Sequence, residues 1–276
     1  MNALFRFDKK RIAPAVPAHE NAADATAGGI VGIDEAGRGC FAGPVVAGAV
    51  WLKFRFFAEP TPLKTGDFIN DSKQLAPATR EEIFALVEHW ERRGELVFAA
   101  GTASVQEIEL RNILGATKLA MNRAIEGVLE KLPAGTPCPF AAAGTTVDAP
   151  LFERETPFPP MLVDGRPLTE FAWQHEAIVH GDATSLAIAL ASIVAKVTRD
   201  RVMCALDAEF PAYGFREHKG YGTPAHIAAL RKYGITPLHR VKFLRNLAAE
   251  SPETIPGLEH LFPRSVSEPT QSEFPF

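Results

Sequence analysis

The sequence predicts an α/β protein: a mixed sheet flanked by helices, with a small helical part toward the C-terminal end. Three observations lead there. Short apolar runs bounded by Gly and Pro, too short for lone helices, occur at 29–34, 44–52 and 95–102. Two more, at 161–163 and 177–179, alternate with helical periodicity. The segment that follows carries helix signals without further strand-like runs. Strands first, then strands alternating with helices, imply a mixed sheet.

The elements follow in order. Residues 1–28 are Ala-rich and polar without periodicity and read as a flexible arm. Strands are expected at 29–34 (GIVGID), 44–52 (PVVAGAVWL) and 95–102 (ELVFAAGT), with a helix over 79–93. Ser104 and Glu107 form a capping box that opens another helix. A longer helix over 112–132 places Leu114, Met121, Ile125, Val128 and Leu132 on one stripe. The stretch 133–160 holds seven Pro and reads as an inserted loop. The strands at 161–163 and 177–179 lead into Asp164 and into Gly181-Asp182. A helix over 184–205 has Leu186, Leu190, Ile193 and Val197 on one face, and Thr223, Pro224 and Gly234 bracket a later helix. The expected division is a core of 29–210, a C-terminal helical substrate-binding part of 211–250, and a loose tail of 251–276 with five Pro.

Composition narrows the function classes. With 276 residues, 46% of them hydrophobic and 22% charged, collagen-like, disordered and disulfide-scaffold chains are excluded. No window reaches the roughly 18 continuous apolar residues of a membrane span, and the basic start lacks the apolar stretch of a secretory signal. Cys40, Cys138 and Cys204 are scattered without a CxxC pair, as in a protein of a reducing cytoplasm. A cytoplasmic monomer is expected. The net charge is −4, yet 196–245 holds ten Lys/Arg against four Asp/Glu. That basic segment can meet a polyanion while the rest stays acidic.

Three of the strand candidates end in acid: Asp34 with Glu35, Asp164, and Asp182. An acid at the end of a buried strand needs compensation. Four carboxylates converging at one sheet edge would repel and raise one another's pKa values. Mg²⁺ or Mn²⁺, which prefer oxygen ligands, would remove the difficulty and would suit phosphodiester hydrolysis. Asp at a strand end also serves as a cap or turn residue; an adjacent Asp34-Glu35 inside a Gly-rich turn fits that role less well. The turn itself, 37–42 (GRGCFA), formally matches a dinucleotide-binding pattern. Gly43-Pro44 and a strand-like run stand where that pattern needs a helix, so the match is rejected. Gly37 and Gly39 instead let the backbone touch a ligand, with Arg38 offering charge to phosphate.

Taken together, 32–39 (GIDEAGRG), 42–46 (AGPVV), 70–75 (NDSKQL), 112–117 (NILGAT), 163–165 (VDG), 181–182 (GD), 191–200 (ASIVAKVTRD), 213–215 (YGF), 218–221 (HKGY) and 234–240 resemble type 2 ribonuclease H, the ribonuclease HII family. The blocks run in the family's order from about Gly29 to about Leu247. The resemblance implies a ribonuclease H-like fold with a helical part closing over the substrate. It implies an endonuclease that cuts the RNA strand of RNA–DNA hybrids and cuts 5′ to a ribonucleotide embedded in duplex DNA, in ribonucleotide excision repair. The ends left are 3′-hydroxyl and 5′-phosphate. By position, Asp34, Glu35, Asp164 and Asp182 fall on the family's acidic metal ligands for Mn²⁺ or Mg²⁺. Gly37, Arg38 and Gly39 fall on the loop that reads the ribose 2′-OH, and Tyr221 on the aromatic that stacks on the adjoining sugar. Lys73, Lys196, Lys219 and Arg240 are candidates for phosphate contact, whereas Asp200 is expected in a structural salt bridge with its neighbours Arg199 and Arg201. The long 133–160 stretch, His180, and Gly222 after the Tyr depart from the family pattern. A hybrid-binding protein without catalysis, a nicotinamide oxidoreductase and a transposase-like nuclease are the competing readings.

Overall fold

Along the first strand, successive side chains point to opposite faces of a sheet, and both faces are apolar. The structure, a computed structural model, describes residues 2–12, 28–66, 69, 75–132, 140, 160–250 and 255–258. Five strands, β1 (Gly29–Ala36), β2 (Val45–Lys53), β3 (Leu96–Ala103), β4 (Met161–Asp164) and β5 (Glu176–Ile178), form one sheet in the order β3-β2-β1-β4-β5. The β1–β2 and β2–β3 pairs are antiparallel, while β1–β4 and β4–β5 are parallel. This is the mixed sheet the sequence predicts.

Nine helices follow the chain: α1 (Ala3–Ile12), α2 (Phe54–Ala58), α3 (Pro62–Thr65), α4 (Pro77–Arg92), α5 (Val105–Glu130), α6 (Leu186–Glu209), α7 (Phe215–His218), α8 (Pro224–Tyr233) and α9 (Arg245–Glu250), counted among the described residues. On one face of the sheet Ile30, Val50, Leu52 and Leu162 pack with residues of α1, α4 and α6. On the other, Val31, Ile33, Ala47, Trp51 and Val163 pack against α5. Gly32 lies on the α6 face, where an added Cβ would stand 2.1 Å from the Ala187 carbonyl carbon. The strand therefore touches the helix backbone, and α6 is set down directly over β1. Asp34, two residues on, shares that face. None of the described helices is long and apolar enough to cross a membrane.

Four local expectations change. The 1–28 arm contains a helix: in α1, Leu4, Phe5, Asp8 and Ile12 are buried. Asp8 has no exposed surface, and its carboxylate accepts from the Ala187 amide at 2.8 Å. In the 133–160 stretch, Phe140 is buried in edge contact with Trp51 and Trp173. Ile255 and Leu258, placed in the loose tail, pack into a separate apolar cluster with Tyr213, Phe215 and Leu230. On α5 the stripe is displaced. Asn112 interrupts the helix with φ 59° and ψ 172°, and its side chain caps the next turn by accepting from the Leu114 and Gly115 amides. Leu114 consequently lies exposed, and Ala116, Ala120, Met121, Ala124, Ile125 and Val128 face the sheet.

Candidate active site

The parallel pairing of β1 with β4 brings two acids to one end of the sheet. Ile33 is in register with Val163, so Asp34 and Asp164 are the next residues along neighbouring strands. Asp164 in turn pairs with Ile178 on β5. The chain leaves β5 through a left-handed His180 (φ 55°) and returns, so that the Gly181 amide donates to the Asp164 carboxylate at 2.7 Å. Asp182, buried, follows in a short 3₁₀ turn (Gly181–Ala183) ahead of α6. Asp34 and Asp164 thus stand on neighbouring strand ends, with Asp182 in the turn whose Gly181 amide bonds Asp164.

Their electrostatics are unequal. Asp34 is 3% exposed. Burial pushes its carboxyl well above the usual range, and the neighbouring charges of Glu35 and Asp164 push it further. A hydroxyl from Ser192 on α6 and the Glu35 amide, at 2.7 Å, pull the other way but do not cancel the rise. Glu35 points to the opposite face and meets the Arg38 guanidinium at 2.9 Å. Among the described residues no three His, Cys, Asp or Glu side chains are already drawn together as a metal cage. What the edge offers is Asp34, a buried carboxyl, beside Asp164: two hard oxygen donors of the kind divalent cations prefer.

The Gly-rich turn after β1 is shaped from beneath by two buried arginines. Arg199, with no exposed surface, donates to the carbonyls of Pro44 (2.9 Å), Ala42 (3.1 Å) and Lys219 (2.9 Å). Arg240, equally buried, donates to the carbonyls of Gly43 and Arg38, both at 2.9 Å. Gly37 takes φ +91° and lies flat on the Arg199 guanidinium, where a Cβ would stand 1.9 Å from Nε. At Gly39 a Cβ would meet nothing within 4 Å. The turn's carbonyls are therefore drawn inward. Arg38 and Gly39 are exposed residues, and their amides meet no acceptor among the described residues.

The C-terminal helical part closes on this turn. The Phe41 amide donates to Gly220 O at 2.8 Å, the Gly43 amide to Leu238 O at 2.9 Å, and the Arg240 amide to Phe41 O at 2.7 Å. Tyr221, 42% exposed, stands beside it, with Lys196 Nζ and Arg199 Cζ each 5.9 Å from its ring.

The predicted cations fare differently. Lys196 pairs with Asp200 at 2.8 Å, and Asp200 is shared with Arg80 at 3.5 Å, so its structural bridges run to these two rather than to Arg199 and Arg201. Lys219 bonds the Arg216 carbonyl. Arg240 faces the interior, which corrects its expected place on the phosphate side. Lys73 lies outside the described residues. Sequence reasoning missed Ser192 and the internal role of Arg199. Their spacing with Met203, on the buried face of α6, was the signal available.

The sheet, its helices and likeness to solved structures give the chain a ribonuclease H-like fold. The ribonuclease H2 of Pyrococcus horikoshii superposes with TM-score 0.53 at 22% identity, covering 80% of this chain and 97% of that one. Ribonuclease HII of Archaeoglobus fulgidus, solved with PCNA, gives TM-score 0.53 at 22% identity over 77% and 93%. A family model described as ribonuclease HII matches residues 31–133 and 161–246. Ribonuclease HII of Chloroflexus aggregans is 42% identical over 214 residues, covering 78% of this chain and 85% of the relative. That of Thermotoga petrophila is 43% identical over 214 residues, covering 78% and 72%. The chain belongs to the ribonuclease HII family, and is an endoribonuclease cleaving RNA in RNA–DNA hybrids.

Proposed function

We propose that Asp34, Glu35, Asp164 and Asp182 are the catalytic acids, and that the chain also cuts 5′ to a single ribonucleotide in duplex DNA, leaving 3′-hydroxyl and 5′-phosphate ends. The observation that carries this is Asp34: buried, on the strand next to Asp164, and strained by the charges of Glu35 and Asp164. A carboxyl so placed is costly unless a cation completes it. Two divalent ions, Mg²⁺ or Mn²⁺, held by the four acids would activate water and neutralise charge at the scissile phosphate.

The remaining work falls to the chain. Ser192 and the Glu35 amide hold the Asp34 carboxylate, and the Gly181 amide holds Asp164, so both are oriented before substrate arrives. The unbonded amides of the exposed Arg38 and Gly39 would provide hydrogen-bond donors at the surface of the turn. A 2′-OH is the feature that separates RNA from DNA at one nucleotide, and bare backbone at Gly39 lets a ribose approach without a side chain between. Tyr221 offers a flat, half-exposed ring beside the turn for the adjoining sugar. Lys196 and Lys219 flank that ring's loop and supply positive charge toward phosphate, as Lys73 does in the sequence reading. We place the enzyme in the cytoplasm as a monomer acting in ribonucleotide excision repair.

The test is cleavage of a duplex carrying one ribonucleotide, with Mg²⁺ or Mn²⁺, by the wild type and Asp34→Asn. A single cut 5′ to the ribonucleotide and a variant at least about a hundredfold slower are expected. Binding without cutting in either metal would establish a hybrid-binding protein instead.

A further inference from the structure

Behind Tyr221 lies a cluster of three imidazoles in the C-terminal part. His226 on α8 and His239 after it are 0% and 2% exposed. Their Nε2 atoms are 3.1 Å apart. The proton positions follow from the partners. His239 Nδ1 faces the Thr236 amide at 2.8 Å, and an amide can only donate, so that nitrogen accepts and the proton sits on Nε2. His239 Nε2–H then donates to His226 Nε2, which leaves the His226 proton on Nδ1. There it donates to the Tyr221 carbonyl at 2.9 Å. The same carbonyl accepts from the Thr223 amide at 2.8 Å, and the Tyr221 amide donates to His218 O at 2.9 Å. His218 stacks on His226 at 4.4 Å. Its Nδ1 accepts from the Gly220 amide at 3.2 Å, and its Nε2 donates to Tyr213 O at 2.7 Å.

We infer that His226 and His239 are positioning residues. A one-directional hydrogen-bond chain from the Thr236 amide through both imidazoles ends on the Tyr221 carbonyl and fixes the turn that presents the Tyr221 ring. It rests on the reading of Tyr221 as part of the substrate surface. A second proton on either ring breaks the chain. Protonated His239 would point Nδ1–H at the Thr236 N–H, losing that bond and leaving only the Thr236 hydroxyl, 2.9 Å from the same nitrogen, as acceptor, and protonated His226 would point Nε2–H at His239 Nε2–H. The groups facing the pair do not offset this. They are the His218 imidazole from α7, the Tyr213 phenol (ring 5.1 Å from His239, hydroxyl on Gly234 O), and Arg240, whose guanidinium turns away to the Gly43 and Arg38 carbonyls. Phe41 and Phe215 supply uncharged rings. Burial, together with the other imidazoles, holds His226 down at about 4 and His239 at about 3. Both lie below the unfolded value, so the unfolded chain binds protons first. The stability of this part is complete above about pH 6.5 and is lost as pH falls through the folded values.

The first test needs no substrate. Long-range ¹⁵N–¹H spectra of the full chain labelled at histidine should show His226 protonated on Nδ1, His239 on Nε2, and both neutral at pH 5.5. Reversed tautomers or titration near 6.5 would overturn the inference even if the nuclease reading stands. The second uses the single-ribonucleotide duplex. His226→Gln, which loses the Nδ1-side donor, should raise KM about tenfold, the factor of one lost hydrogen bond, with kcat changed less. His226→Asn, which can restore that donor, should recover most of the loss. In a Tyr221→Ala background, His226→Gln should add nothing. An undiminished effect there would show that the imidazoles act elsewhere. Failure of the wild type to cut refutes the nuclease reading and leaves the spectra to decide this one.

Discussion

Gly37 and Gly39 are two residues apart in one turn, yet the structure separates their reasons for being glycine. Substituting each by Ala tests that separation. At Gly37, φ is +91°, a backbone cost of roughly 1–2 kcal/mol for a residue with a Cβ. The new atom would also stand 1.9, 2.5 and 2.7 Å from Nε, Cδ and Cζ of Arg199. That guanidinium cannot retreat, because Pro44, Ala42 and Lys219 carbonyls hold it. Overpacking adds about 1–3 kcal/mol, so Gly37→Ala should cost about 2–5 kcal/mol in all. At roughly 2–4 °C per kcal/mol for a chain of this size, the melting temperature should fall by about 4–20 °C. At Gly39 no atom lies within 4 Å of the added Cβ, so Gly39→Ala should melt at or slightly above the wild-type temperature. Its effect should appear in the cleavage assay, as a KM for the single-ribonucleotide duplex raised about tenfold or more. Circular dichroism melts and steady-state cleavage check both. Wild-type melting of Gly37→Ala, or a wild-type KM for Gly39→Ala, would refute the division of labour between packing and recognition.

Asp34→Asn should raise thermal stability by about 1 kcal/mol or more at pH 8 while abolishing most activity, because the amide removes a buried charge facing Glu35 and Asp164; a variant less stable than wild type would contradict this. Asp8, pushed up to about 7 by burial, keeps a proton in the folded state that the unfolded chain releases near its ordinary value of 3.8. Its contribution to stability is therefore full in acid and lost as pH rises through 7. Asp8→Asn should remove this slope, so that the variant gains on wild type between pH 5 and pH 8 in urea titrations, by up to about 1.4 kcal/mol per pH unit. Asn112 holds φ 59° and ψ 172°, a region open almost exclusively to Gly. Asn112→Ala should accordingly be about 1–3 kcal/mol less stable than Asn112→Gly, both lacking the cap, in the same titrations.

Much of the sheet was legible because its strands are short, apolar and sharply punctuated. Asp34 and Asp164 were legible because each lies at the C-terminal end of a strand, and strand register then brings them side by side. Other features depend on contacts between distant residues. The helix α1 hides in a polar-looking stretch because its buried face includes Asp8, which is stabilised by the Ala187 amide 179 positions away. Phe140 and Leu258 sit in Pro-rich surroundings whose local pattern says loop, and tertiary packing buries them. Leu114 fits an apolar stripe on paper, but the backbone break at Asn112 turns it outward. Arg199 reads as a salt-bridge partner of Asp200 and Arg240 as a phosphate contact, since their carbonyl partners lie in a turn that no spacing rule connects to them.

The buried arginines also set an order of events during synthesis. Arg199 reaches back 155 positions to Pro44, and Arg240 reaches back 202 positions to Arg38. All four acids precede both. A nascent polypeptide halted before position 240 has every acidic residue and lacks one of the internal cations that mould the turn. The turn is therefore fully moulded only once residue 240 has been made, after all four acids.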